Sequence, residues 1–160
     1  MRWAETRIMW ADDHRNEIEP QVLALRSFGA GVEVTSTANG AYELLGHGHV
    51  FDLVILDVLL PAGGTLPEAL ARIKEASRIK PESEHNGLVL ALWMQETARL
   101  APYVFYTLMG ESRHKFEPRL GRMVDPKGDS FYGKQERKYW GDGIRLLVEA
   151  KLRGEHAGQH

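Results

Sequence analysis

Residues 51–61 read Phe-Asp-Leu-Val-Ile-Leu-Asp-Val-Leu-Leu-Pro and place a buried strand directly before an aspartate. Phe51 to Leu56 is continuous, rich in branched side chains and bounded by polar residues. This pattern is typical of a central parallel strand that is covered on both faces. Asp57 then marks the carboxyl end of that strand. The segment therefore predicts a parallel α/β sheet with an acidic group at its carboxyl edge.

The same pattern, a strand that ends in acid, occurs near the start of the chain. Ile8 to Ala11 predicts a buried strand, and Asp12 and Asp13 follow it directly. If the two strands are parallel neighbours, their carboxyl ends meet in one crevice, which is where ligands bind in open α/β sheets. Three carboxylates at such short distances repel one another unless a cation neutralises their charge. The sequence therefore indicates a hard divalent metal held by oxygens, and Mg²⁺ is the expected ion.

Strands and helices alternate along the rest of the chain. The apolar spacing predicts helices at 16–28, 39–45, 66–79, 88–100 and 142–152, and strands at 32–36, 103–107 and 131–132. Pro20 is tolerated only near a helix start, which places the start of the first helix close to Glu17. Proline and glycine interrupt residues 110–129, so we expect an irregular region there in place of a fourth helix. The alternation predicts a doubly wound, five-stranded parallel sheet in a three-layer α/β sandwich.

The composition is that of one ordinary globular domain. The chain has 160 residues, of which 43% are hydrophobic and 26% charged, and we expect one domain over residues 1–153 with a flexible tail at 154–160. The net charge of −2 shows no electrostatic footprint for nucleic acid. The absence of cysteine excludes disulfides and thiolate zinc sites and fits a reducing compartment. Without a signal peptide or an apolar segment of membrane length, we expect a cytoplasmic protein that binds no membrane.

Taken in order, these residues resemble the CheY-like, flavodoxin-like receiver domain of bacterial two-component response regulators. Asp57-Val58-Leu59-Leu60-Pro61 is similar to the D-x-x-M-P signature of that family, with Leu in place of Met. Asp12-Asp13 resembles its acidic metal-binding pair, and Asp57 resembles its phosphoacceptor. Thr107 ends the fourth predicted strand, where the family places a Thr or Ser that binds the phosphoryl group. The resemblance spans residues 7–152.

Two more residues of the resemblance lie at the fifth predicted strand. Lys134 follows that strand, where the family has a Lys that pairs with phosphoryl oxygens, although Gln135 replaces the usual Pro. Lys127 is the competing candidate for this lysine. Phe131 matches the aromatic position whose side chain reorients on activation, and Thr107 is its expected partner in the switch.

The resemblance implies a stand-alone phosphoacceptor rather than an enzyme, with at most a weak autophosphatase activity. Asp57 would accept a phosphoryl group from a histidine kinase or histidine phosphotransfer protein, assisted by Thr107 and Lys134. The implied metal ligands are Asp12, Asp13, Asp57 and the backbone carbonyl of Leu59, with Mg²⁺ as cofactor. No output domain fits after the closing helix, so the signal would pass through contact with a downstream protein that the sequence does not identify. Whether the chain forms a homodimer is left open.

The chain is longer than the family between Asp57 and Thr107. Gly87 resembles the glycine that normally follows the signature closely, which makes roughly residues 62–86 an insertion beside the site. A partner-binding or site-covering role for it competes with a neutral surface elaboration. The insertion and the irregular region at 110–129 also favour an alternative function, a receiver-shaped binding or scaffold module that works without phosphorylation.

Overall fold

A single parallel sheet of five strands organises the computed structural model, which describes residues 1–48, 50–97, 101–108 and 118–153. The strands are β1 Arg7–Ala11, β2 Gly31–Thr35, β3 Leu53–Leu56, β4 Tyr103–Thr107 and β5 Phe131–Gly133. The α-helices in these ranges are α1 Arg15–Phe28, α2 Ala38–Gly46, α3 Glu68–Ala76, α4 Asn86–Glu96, α5 Pro118–Val124 and α6 Ile144–Leu152. The sheet order is β2-β1-β3-β4-β5, with every pair parallel. This confirms the doubly wound α/β fold.

Separate apolar clusters cover the two faces of the sheet. Because side chains alternate along a strand, β1 divides its residues between the two faces. Ile8 and Trp10 pack in the cluster formed with α1 and α6, whereas Met9 and Ala11 pack in the cluster formed with α2 and α4. The central strand β3 is buried along its whole length. The arrangement is the predicted three-layer sandwich.

The first helix begins earlier than the sequence predicts. It starts at Arg15 rather than near Glu17, and Pro20 lies inside it. Proline removes one backbone hydrogen bond from a helix interior and leaves one carbonyl without its donor. Pro20 lies on the exposed side of α1, where water can bond to that carbonyl. The burial of Ile18 and Val22 on the opposite face stabilises the helix despite the lost hydrogen bond.

The expectation of an irregular region at 110–129 is wrong for part of its length, because α5 occupies Pro118–Val124. Pro118 stands at the first position of that helix, where the missing N–H costs nothing. Residues 110–117 of the region lie outside the described residues, as do the predicted helix end at 98–100 and the predicted tail at 154–160. Within the described ranges, none of the helices has the length and apolar character needed to cross a bilayer.

The chain leaves the sheet after β3 and returns to the same point before α4. Leu60 and His85 form a parallel bridge, and the Leu60 N–H donates to the Glu84 carbonyl at 2.7 Å. Asn86 Nδ2 also donates to the Leu60 carbonyl at 2.8 Å. We call residues 61–84 the excursion. Its place in the chain matches the predicted insertion, and its status as an insertion relative to receiver domains stays a prediction.

A buried lysine ties the excursion together. Lys74, on α3, is only 4% exposed. Its Nζ donates to the carbonyls of Pro81 at 3.0 Å and Ser83 at 2.7 Å, and to Asn86 Oδ1 at 2.9 Å. A buried ammonium needs such oxygen partners because it has lost its water. Lys74 therefore joins the helix of the excursion to the segment that returns to the sheet.

Replacing Lys74 with Met tests this role. The variant keeps most of the side-chain volume but leaves two carbonyls and one amide oxygen without a donor. We expect the free energy of unfolding, measured by urea denaturation, to fall by about 1–3 kcal/mol. The exposed Lys80 provides the matched control, and Lys80→Met should change stability little. Equal stabilities of the two variants would contradict the assignment.

Candidate functional site

The carboxyl ends of β1 and β3 meet at one point of the sheet edge. Ala11 and Leu56 are paired in register, so Asp12 and Asp57, which follow them, lie at the same height along the two strands. The Asp57 N–H donates to the Ala11 carbonyl at 3.0 Å, which keeps the two strand ends together. In the strand order 2-1-3-4-5, the connection after β1 leads to one side of the sheet and the connection after β3 leads to the other. This leaves a crevice between the carboxyl ends of β1 and β3. The structure thus brings Asp12 and Asp57 to the same crevice.

Both carboxylate oxygens of Asp57 have hydrogen-bond donors. Asp57 is 4% exposed. Thr107 Oγ1 donates to Oδ1 at 2.6 Å, and Lys134 Nζ donates to Oδ2 at 3.0 Å. The Lys134 N–H in turn donates to the Thr107 carbonyl at 2.8 Å, so the ends of β4 and β5 lie side by side. The three residues predicted to carry the chemistry are therefore in direct contact.

The ammonium of Lys134 bridges two buried acids. Besides Asp57, it pairs with Asp12 Oδ2 at 2.7 Å and lies 3.8 Å from Glu17 Oε2. Burial opposes the charged form of Lys134, but the attraction of Asp57 and Asp12 is larger in sum, so its pKa is raised. Lys127, the competing candidate, precedes β5 and lines a cavity at the opposite edge of the sheet. Of the two lysines, Lys134 is the one that contacts Asp57.

Asp12 is the most deeply buried acid of the crevice, at 1% exposed. Burial raises the pKa of Asp12 to about 6, the charge of Asp57 adds to this shift, and Lys134 opposes it. Asp12 Oδ1 also accepts the backbone N–H of His14 at 2.8 Å. One ammonium thus faces several carboxylates, and the crevice keeps an excess of negative charge that favours a further cation.

Asp13 and His14 form the exposed rim of the crevice. His14 Nδ1 lies 3.0 Å from Asp13 Oδ1 and 3.9 Å from Asp57 Oδ2. The sequence-based prediction omits His14. The available signal was its position directly after Asp13, at the same strand end as the predicted metal ligands.

The donors in the crevice fit a small divalent ion. One ligand atom from each of four residues lies within 4.8 Å of the others, namely Asp12, Asp13, His14 and Asp57. Carboxylate oxygens are the hard ligands that Mg²⁺ prefers. Leu59 is expected to contribute only its backbone carbonyl, and this ligand stays a prediction.

Phe131, the expected switch residue, is half-buried and stacks on Phe105, with ring centroids 4.6 Å apart and planes 18° apart. Phe105 and Thr107 point to the same face of β4 because they are two residues apart. Thr107 is already hydrogen-bonded to Asp57 in this structure. The switch role of Thr107 and Phe131 stays a prediction.

Gly87 packs against the backbone of the Asp57 segment. A Cβ on Gly87 would lie 1.8 Å from the Asp57 carbonyl oxygen and 3.0 Å from that of Val58. The Gly87 N–H donates to the Val58 carbonyl at 3.1 Å. Because no side chain fits in this space, glycine allows α4 to start directly beside Asp57. This is the glycine that the sequence resemblance singles out.

No family model and no curated protein matches the sequence, but many solved structures match the fold. The N-terminal domain of a response regulator/sensory box/GGDEF 3-domain protein from Carboxydothermus hydrogenoformans is 22% identical, with a TM-score of 0.58 over 97% of this chain and 100% of that chain. A CheY-like receiver domain protein from Methanospirillum hungatei is 17% identical, with a TM-score of 0.61 over 93% and 94%.

A third solved structure is the response regulator protein TrrA from Thermotoga maritima, in complex with Mg²⁺ and BeF. It is 20% identical, with a TM-score of 0.57 over 92% of this chain and 98% of that chain. The solved structures that the chain resembles are mostly response-regulator receiver domains. The protein has the CheY-like receiver fold, and the resemblance read from the sequence is confirmed at the level of the fold.

The contact between Gly87 and Asp57 predicts the effect of an added methyl group. Gly87→Ala should lower the free energy of unfolding by about 1–3 kcal/mol, because backbone atoms must move to admit the Cβ. A loss of stability would point to this contact, because alanine forms helices better than glycine and would otherwise raise the free energy of unfolding.

Gly46, at the end of α2, is the matched control, because a Cβ there would meet nothing within 4 Å. Gly46→Ala should leave stability unchanged or raise it slightly. Chemical denaturation measures both variants, and an unaltered Gly87→Ala protein would contradict the close contact.

Proposed function

We propose that the protein is a phosphoacceptor of two-component signalling. Asp57 accepts a phosphoryl group from a histidine kinase or histidine phosphotransfer protein, and the modified domain signals through contact with a partner protein. The observation that supports this most strongly is the contact of Asp57 with both Thr107, at 2.6 Å, and Lys134, at 3.0 Å. The receiver fold is the second support. The proposal places the protein in the cytoplasm, together with its donor.

Asp57 is the nucleophile in this proposal. One carboxylate oxygen forms a bond to phosphorus while the P–N bond of the donor phosphohistidine breaks, which gives an acyl phosphate and releases the donor imidazole. Negative charge is spread over three equatorial oxygens during the transfer, so positioning and charge compensation carry the catalysis. Lys134 neutralises one of these oxygens as a point charge, and Thr107 donates a hydrogen bond to another.

Asp13, Asp57 and the Leu59 carbonyl would hold the Mg²⁺ of this reaction, and Asp12 would act on it through a bound water. A bound ion supplies positive charge to the phosphoryl oxygens. The carboxylates of the crevice otherwise outnumber the single ammonium of Lys134 and would repel an incoming phosphoryl group. The acyl phosphate is the signalling state rather than an intermediate on the way to hydrolysis, so the domain is not an enzyme in the usual sense.

The alternative is a receiver-shaped binding module that works without phosphorylation. Lys134 already pairs with both buried acids, and Thr107 donates to the second oxygen of Asp57. Both carboxylate oxygens of Asp57 therefore have hydrogen-bond donors before any phosphoryl group arrives. A module of this kind would bind its partner in the unmodified form.

Incubation with Mg²⁺ and a small-molecule phosphodonor, followed by intact-mass measurement, separates the two functions. The proposal predicts a gain of one phosphoryl group for the unmodified sequence and none for Asp57→Asn, which removes the nucleophile. Asp142 is an exposed acid outside the crevice, so Asp142→Asn should be labelled like the original chain.

Label that persists in the Asp57→Asn variant would show that the acceptor is another residue. An unlabelled chain, with Mg²⁺ binding demonstrated separately, would favour the binding module.

A further inference from the structure

His14 places a nitrogen donor in a crevice whose other candidate metal ligands are oxygens. Its backbone N–H donates to Asp12 Oδ1 at 2.8 Å, which holds the residue at the start of α1. From its Nδ1 the distances are 3.0 Å to Asp13 Oδ1, 3.7 Å to Asp12 Oδ1, and 3.9 Å to both Asp57 Oδ2 and Glu17 Oε1. The imidazole therefore faces the three aspartates of the crevice, with Glu17 beside it.

These separations are those of ligands around one ion. At a metal–ligand distance of about 2.1 Å, adjacent ligand atoms of an octahedral ion lie about 3.0 Å apart and opposite ones about 4.2 Å apart. The distances from His14 Nδ1 to Asp13 Oδ1 and Asp57 Oδ2, 3.0 and 3.9 Å, lie between these limits. A hydrogen bond from His14 to Asp13 alone would explain the shorter distance but not the approach to Asp57.

Asp12 is the least available of the acids. Its Oδ2 pairs with Lys134 at 2.7 Å, and its Oδ1 accepts the His14 N–H at 2.8 Å. Both oxygens are thus engaged within the protein. Asp13, by contrast, lies on the rim beside the imidazole. The groups best placed to bind an ion directly are Asp13, Asp57 and His14.

We propose that His14 Nδ1 is a direct ligand of the divalent ion, so that the site selects a first-row transition-metal ion over Mg²⁺. This inference rests on the metal site of the proposed function. Imidazole suits ions such as Co²⁺, Ni²⁺ and Zn²⁺, whereas Mg²⁺ is bound through carboxylates, carbonyls and water. One imidazole among carboxylates therefore raises the affinity for the transition metals and contributes little to that for Mg²⁺.

Calorimetric titration of the full chain with Co²⁺ and, separately, with Mg²⁺ tests the proposal. His14→Ala should weaken Co²⁺ binding by about tenfold or more, the effect typical of groups that support a metal site, and leave Mg²⁺ binding nearly unchanged. The His14 side chain is 55% exposed, so the fold should tolerate the change. His47, exposed after α2, is the matched control, and His47→Ala should alter neither affinity.

The NMR spectrum of the Co²⁺-loaded protein gives a second readout. A coordinated imidazole shows ring-proton resonances that the unpaired electrons of Co²⁺ shift far from their usual positions. We expect such resonances in the original chain and in His47→Ala, and their loss in His14→Ala.

Different results would rule out His14 as a ligand and the metal site itself. If Asp57→Asn abolishes binding of both ions while His14→Ala changes the two affinities equally or not at all, His14 is not a ligand and the metal site of the proposed function stands. If the original chain binds neither ion, or if Asp57→Asn binds both as before, the metal site itself is wrong and the inference falls with it.

Discussion

The ammonium of Lys134 connects the carboxyl ends of three strands. It follows β5 and pairs with Asp12 after β1 and with Asp57 after β3. Both buried carboxylates have this ammonium as a charge partner, and removal of one partner from a buried ion pair typically costs about 3–5 kcal/mol. The same charge would meet any anion that approaches Asp57. In this protein, the stability of the sheet edge and the chemistry of the crevice thus depend on one interaction.

Charge and close packing act together to position Asp57. Thr107 and Lys134 direct its two carboxylate oxygens, while Gly87 leaves room for α4 beside its backbone carbonyl. Side chain and backbone are therefore held by different elements, β4 and β5 on one side and α4 on the other. A carboxylate held in this way would lose little entropy in a reaction at this position, which is the advantage of a preorganised site.

The sequence predicts the fold and the acids of the site because both follow from local patterns. The predicted bounds of β4 are those of the structure. Asp12 and Asp57 are recognised because each follows an apolar run. The start of α1 is misplaced since the cost of Pro20 depends on which face of the helix is exposed. The burial of Lys74 and the approach of His14 to Asp57 depend on distant backbone segments, and no periodicity reveals such contacts.

The bridge between Leu60 and His85 joins the two ends of the excursion. Since both ends of this segment already touch, the entropy of closing it grows only slowly with the number of residues between them. Additional residues in the segment would therefore cost little in chain entropy, provided that α3 keeps its core contacts through Leu70 and Ile73. Chain length can thus change a few residues from Asp57 at a small entropic cost while the Leu60–His85 bridge keeps the end of β3 beside the start of α4.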